Sequence, residues 1–183
     1  MSVELTEIED KEKIVFKQFK EQAIPHLGFE PRNDWEWLAL AQHHGLPTRL
    51  LDWTQNPLVA LYFAVEESTK SNSAVYVYTD THDAVDISKH SNPLTLSNDQ
   101  PVRRYVPAHL TNRIIAQSGV FTVHHDVTSS FTSKNVYKMI IPNKIRNELK
   151  EQLYRYGIHR GTIYPGLDGL SAHIRWLSEQ NDA

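Results

Sequence analysis

Asp52 and Thr54 stand two positions apart in the run Thr48-Arg49-Leu50-Leu51-Asp52-Trp53-Thr54. Side chains alternate across a strand, so a strand here puts Thr48, Leu50, Asp52 and Thr54 on one face and Arg49, Leu51 and Trp53 on the other. A carboxylate and a hydroxyl then project together at the strand's C-terminal end. A helix start follows at Asn56-Pro57, and the free N–H groups of a helix start attract anions. Pro57 removes one of those donors. Two readings stay open on the residues alone. Asp52 and Thr54 face a ligand, or they are cap and turn residues that order the strand-to-helix link. In the second reading Arg49 is a buried partner for Asp52 or for a helix carboxylate.

The other reactive side chains narrow the chemistry. Of the ten histidines, His43-His44 and His124-His125 are adjacent pairs. Neighbours point about 100° apart on a helix and to opposite faces on a strand, so each pair offers at most one ligand to a common metal. There is no His-Glu-x-x-His motif, and no metal is expected. His43 or His124 is better suited to acid, base or ligand contact, since the ordinary histidine pKa is near neutral. The chain lacks cysteine, which excludes disulfides, thiolate metal sites and a Cys nucleophile. No Gly-x-Ser-x-Gly elbow, phosphate loop or Gly-x-Gly-x-x-Gly run is present.

These residues need a scaffold, and 183 residues suffice for one domain with a real core. The net charge is −3, with Lys and Arg scattered, so no basic stripe marks a nucleic-acid surface. No apolar stretch approaches the ~20 residues of a membrane span, and the polar start is not a signal peptide, so the expected location is the cytoplasm. Glu7 to Gln22 reads as an amphipathic helix, with Val15 and Phe19, and Ile8 and Phe16, on its apolar face. Pro25, Gly28 and Pro31 end it. A second helix runs from Asp34, its expected cap, towards Gly45.

After the strand comes the helix Pro57 to Val65, apolar on every side and so expected to be buried on all faces. Strands are expected at Ala74–Tyr78, Val102–Val106, Gly119–His124 and Tyr137–Ile141. Asn112–Gln117 reads as a helical turn. Helices are expected at Lys144–Tyr156 and Leu167–Leu177, with Tyr164-Pro165-Gly166 as a turn. The polar stretch from Thr79 to Asp99 reads as loop. Helices and strands mix without regular alternation, which favours α+β.

The run from Trp37 to Ala64, with Gln42-His43-His44-Gly45-Leu46-Pro47-Thr48-Arg49-Leu50-Leu51-Asp52-Trp53-Thr54 at its centre, resembles the signature of the FRG domain family. Asn112 to His124 resembles that family's second block. Gly157-Ile158 and Tyr164-Pro165-Gly166-Leu167-Asp168-Gly169-Leu170 resemble its closing region. The family's Phe/Tyr-Arg-Gly tripeptide does not occur ahead of Trp35, which implies a shortened member or a start-site or gene-fragment form.

The order of these blocks is similar to that of arginine–serine–glutamate ADP-ribosyltransferases. The fold this implies is a single α+β domain, a mixed sheet with a buried central helix and flanking helices. We divide the chain into an N-terminal helix and loop (1–33), the FRG domain (34–179) and a tail (180–183). The resemblance implies NAD as cofactor, with Asp52 in the charged role, Gln117 where a catalytic glutamate is expected, and His43 as nucleotide or ribose contact. Thr48, Arg49, Thr54, Asn56 and Phe121 complete the cofactor-binding set. Asp126 and Glu66 are outside candidates. The implied setting is a bacterial toxin or defence module. The alternative is a non-catalytic ligand-sensing or protein-interaction domain, with a protein partner or a second copy of the chain.

Overall fold

A computed structural model describes residues 3–79, 82–96, 102–108 and 111–181. In chain order the elements are α1 (Val3–Ala23), α2 (Asp34–His43), β1 (Leu50–Thr54), α3 (Pro57–Val65), β2 (Ser73–Tyr78), β3 (Arg103–Tyr105), α4 (Asn112–Ala116), β4 (Gly119–Val123), β5 (Val136–Ile141), α5 (Arg146–Arg155), α6 (Arg160–Ile163) and α7 (Leu167–Asn181). The mixture of helix and sheet is the expected α+β class. The strands form two sheets rather than one: β1-β4-β3 and β2-β5. β3 runs antiparallel to β4, with Tyr105 opposite Phe121, and β2 runs antiparallel to β5 from Ser73 opposite Ile141 to Tyr78 opposite Val136. Only 82–96 of the expected Thr79–Asp99 loop is described apart from Thr79 itself, and it contains a short 3-10 turn at Pro93–Thr95. Residues 182 and 183 of the expected tail lie outside the described residues.

Two compact units interleave along the chain. The first comprises Met1–Asp52, Thr81–Leu110 and Val120–Phe131; the second comprises Trp53–Asp80, Thr111–Gly119 and Thr132–Ala183.

The core of the first unit is α2. Every residue from Trp35 to Ala41 is buried. Trp35 packs its ring 4.9 Å from Tyr105 and donates its indole N–H to the His90 carbonyl at 2.6 Å. Leu50, Val85, Phe121 and Val123 fill the space around it. The cap of α2 is Asn33, not Asp34: the Asn33 side chain accepts from the Glu36 N–H at 3.0 Å. Asp34 instead pairs with Lys20 at 2.6 Å. Gly45, at φ +83°, stops the helix. Its N–H reaches the Gln42 carbonyl and that of Leu46 reaches Ala41, the paired bonds of a Schellman end.

The inward line of α1 differs from the apolar stripe expected. Phe16 is buried and Phe19 packs partly against the core, but Ile14 and Val15 are exposed. The side chain that takes the missing place is polar. Glu12 turns inward and binds Arg49, which is 2% exposed. Arg49 Nη2 reaches Glu12 Oε2 at 2.6 Å, Nε contacts both oxygens, and the Arg49 backbone N–H donates to Oε1 at 3.1 Å.

The second unit has a smaller core of Val59, Tyr62, Val65, Leu153 and Ile163. The expectation of all-round burial for α3 is corrected here. Only Val59, Tyr62 and Val65 are buried, while Leu58 and Phe63 are exposed. Nine residues give α3 one three-residue stripe to bury, and the all-round burial falls to α2. Arg146, itself buried, closes the end of α3 by donating to the carbonyls of Ala64 and Glu67, both at 2.9 Å. At the start of α7, Gly169 lies so close to the Tyr164 carbonyl that a Cβ would collide with backbone.

Glu12→Ala strands a buried guanidinium, so unfolding stability should fall by about 3–5 kcal/mol in a urea titration. Gly169→Ala should cost about 1–3 kcal/mol by the same measurement, because the Tyr164 carbonyl must shift.

Candidate functional site

The strand-to-helix segment begins with a short hydrogen-bond relay in the first unit. Thr48 Oγ1 donates to Gln42 Oε1 at 2.7 Å, and Gln42 Nε2 donates to Asp52 Oδ2 at 2.6 Å. Thr48 Oγ1 also accepts from the Leu50 N–H at 3.1 Å. The last turn of α2 and the start of β1 are thereby tied by side chains, and the exposed Asp52 carboxylate has a fixed orientation. His43, half-buried on the same turn of α2, sets its ring edge-on to His44 at 4.9 Å.

Two members of the expected cofactor-binding set lie in the core of this unit. Arg49 is paired with Glu12, and its Nη1 faces the Pro93 carbonyl at 3.4 Å. Its partner is thus a helix carboxylate, one of the two structural roles open to it on the sequence. Phe121 is 3% exposed and stacks on Tyr105 with ring centroids 6.3 Å apart.

Thr54, Asn56 and Gln117 belong to the second unit. Thr54 Oγ1 donates to the Gln117 carbonyl at 2.7 Å and accepts from the Asn56 N–H at 3.0 Å. Asn56 caps α3, its side chain accepting from the Leu58 N–H at 3.0 Å with Pro57 in the first turn, as the residue types predict. Gln117 ends α4, and its amide donates to the Ile163 carbonyl at 3.2 Å. All three are engaged in turn, cap and tether bonds.

The two outside carboxylates have different surroundings. Asp126 lies on an exposed turn and accepts from the Thr128 N–H and from the hydroxyls of Thr128 and Ser129. Those donors hold its pKa down at about 2. Among the described residues of the second unit, Glu66, at the end of α3, is the most heavily coordinated carboxylate. It accepts from Tyr62 OH at 3.1 Å, Tyr164 OH at 3.0 Å and Arg160 Nη1 at 2.5 Å. Burial, followed by the Glu66 charge, pushes the Tyr164 hydroxyl up to about 12, so it stays a donor at neutral pH.

Glu66 lines a pocket of about 60 Å³ together with Lys150, Tyr154, His159, His173 and Trp176. These residues come from the C-cap of α3, from α5, from the residue that precedes α6 and from α7, with no local motif, and Glu66 was the one of them singled out in the sequence. The first unit has its own cleft of about 420 Å³, walled by Val85, Ile87, Tyr105 and Val106. At its rim Arg32 Nη2 pairs with the buried Glu36 at 2.7 Å. Burial alone would raise the Glu36 pKa, but hydrogen bonds and charge from Arg32 hold it below the ordinary value.

The family model of the FRG domain matches residues 2–73. The similarity to the FRG domain covers that segment of the chain. The match takes in α1, the Gln42–Thr48–Asp52 relay, all of α3 and Glu66. No curated protein and no solved structure matches the chain. Among the described residues, no helix is long and apolar enough to cross a membrane.

His124 follows β4, and its Nε2 shares a 2.7 Å hydrogen bond with Thr122 Oγ1. Burial lowers its pKa below the ordinary value of 6.5. The unfolded chain therefore takes up this proton first, and stability should be lost as pH falls from about 6.5 through the folded pKa. An NMR titration of the His124 ring and urea unfolding at several pH values measure both halves of that linkage.

Proposed function

We propose that this FRG domain handles a nucleotide of the NAD type in the manner of mono-ADP-ribosyltransferases, with Asp52 as its charged group. The observation that carries the reading is the exposed Asp52 carboxylate, oriented by Gln42 and Thr48 within the family match. Breaking a nicotinamide–ribose bond builds positive charge on the ribose, and a pre-oriented carboxylate stabilises that charge without reorganising. Gln42 performs the orienting by donating through its amide while accepting from Thr48. His43, one residue along α2, is the proposed ribose or nucleotide contact. Arg49, Phe121, Thr54, Asn56 and Gln117 are reassigned to holding the surrounding backbone, because their polar atoms or rings are already engaged. A neutral Gln117 cannot replace a catalytic glutamate. We extend the proposal to a toxin or defence setting in the cytoplasm of a bacterial cell.

The second reading is a ligand-sensing or protein-interaction domain without turnover. The binding of Gln117 to a backbone carbonyl, where the enzymes keep a glutamate, favours it.

NAD at about 100 times its Kd should stabilise the fold by about 2.7 kcal/mol, seen as a raised melting temperature. Nicotinamide release, followed by chromatography, should accompany it. Asp52→Asn keeps an acceptor for Gln42 and should slow release by about a hundredfold or more. Stabilisation with no release would establish the sensing reading. Neither effect would exclude NAD for this domain.

A further inference from the structure

We propose that the Lys150 pocket of the second unit binds an oxyanion of phosphate size, at a site independent of Asp52. Its charges come from separate elements and do not cancel. Glu66 is the carboxylate of the pocket lining, and it already accepts from Tyr62, Tyr164 and Arg160. Lys150, on α5, forms no ion pair among the described residues. Its Nζ donates once, to the Glu66 backbone carbonyl at 3.1 Å, and an ammonium has three N–H donors. Burial lowers the Lys150 pKa, and the nearby charges acting on it are Glu66, Arg160, Glu179 and Arg146. Among the lining residues, Lys150 and Arg160 against Glu66 leave one positive charge, on a chain whose net charge is −3.

The walls favour a compact, charged guest. Lys150 lies over the Trp176 ring, 5.6 Å from its centroid. His159 and His173 stack face to face at 3.8 Å, and Tyr154 packs 5.5 Å from both His173 and Trp176. The Trp176 ring covers one side of the ammonium, and Lys150 lines the cavity together with these rings. The cavity of about 60 Å³ exceeds the roughly 10–15 Å³ that one water needs and is far below the roughly 300–1,000 Å³ of pockets for drug-sized ligands, a size that suits one phosphate, sulfate or carboxylate group. A nucleobase or sugar does not fit inside and would have to remain at the mouth. A purely structural Lys150, closing the C-terminal end of α3 through the Glu66 carbonyl, would show no anion dependence at all.

The test uses the full chain with sulfate as probe, titrated against chloride at matched ionic strength. The readout is the Trp176 indole N–H resonance, identified by its loss in Trp176→Phe. Saturable movement of that resonance, at least about tenfold weaker in Lys150→Gln and retained in Lys150→Arg, is the expected result. No saturable movement into the tens of millimolar overturns the proposal. So does an affinity that Lys150→Gln leaves unchanged, once circular dichroism shows that variant folded. Phenyl phosphate distinguishes the source: tighter binding than sulfate assigns the site to an anionic end group on a larger molecule, and equal or weaker binding to a free ion. Both keep the site.

Discussion

A guanidinium taken out of water must have its charge compensated and its N–H groups satisfied, and each unit of this protein is organised around one that does so. In the first unit Arg49 is enclosed and answered by Glu12, 37 residues earlier in the chain. The same carboxylate accepts the Arg49 backbone N–H, so one side chain fixes both the charge and the start of β1. The Pro93 carbonyl adds a third piece of chain to the cluster. Removing either charge would leave the other buried and unpaired, a larger loss than the pair itself contributes. In the second unit Arg146 solves the problem without a carboxylate. It takes the carbonyls of Ala64, Glu67 and Ser71, the Ser73 hydroxyl and the Asn143 amide oxygen. Those carbonyls include ones left open where α3 ends, and a cation there also faces the negative end of the helix dipole.

This arrangement bears on what the FRG motif contains. Within Gln42 to Thr54, residue types with reactive side chains are divided by their partners. Arg49 is structural by burial, and Thr54 by its bonds to the Gln117 carbonyl and the Asn56 N–H. Asp52 is the charged member that stays at the surface, and Gln42 and Thr48 hold its direction. A motif of one family therefore mixes folding residues with a candidate chemical group, and a list of its polar positions would not separate them. The same holds for the closing Tyr164–Leu170 run, where Gly169 is required by the nearness of the Tyr164 carbonyl. Tyr164 in turn holds Glu66.

Much of the local structure was legible in the residues. Asn56-Pro57 starts α3 because a side-chain acceptor meets a residue that needs no N–H partner. Gly45 ends α2 because the chain needs positive φ there. The strands at β2, β4 and β5 follow from short β-branched and aromatic runs. These are nearest-neighbour effects, and a single sequence contains them in full. Periodicity was a poorer guide to burial. The apolar stripe expected on α1 was interrupted by Glu12, and the apolar α3 buries only one line of side chains, while α2 with its Glu36 is enclosed along Trp35–Ala41.

Legible in the sequence alone were the α3 cap, the helix stop at Gly45 and most element types, together with the FRG signature, because each depends on residues within a few positions of one another; the α2 cap, Asn33 rather than Asp34, was not. Tertiary structure alone decided that Glu12 belongs to Arg49, that Glu66 collects Tyr62, Tyr164 and Arg160, and that Lys150 faces a pocket of stacked rings. Those pairings join groups up to 98 residues apart. Loop-closure entropy changes only slowly with separation, by about 0.6 kcal/mol per doubling, so it barely discriminates among such distant partners, and neither spacing nor composition could have chosen them.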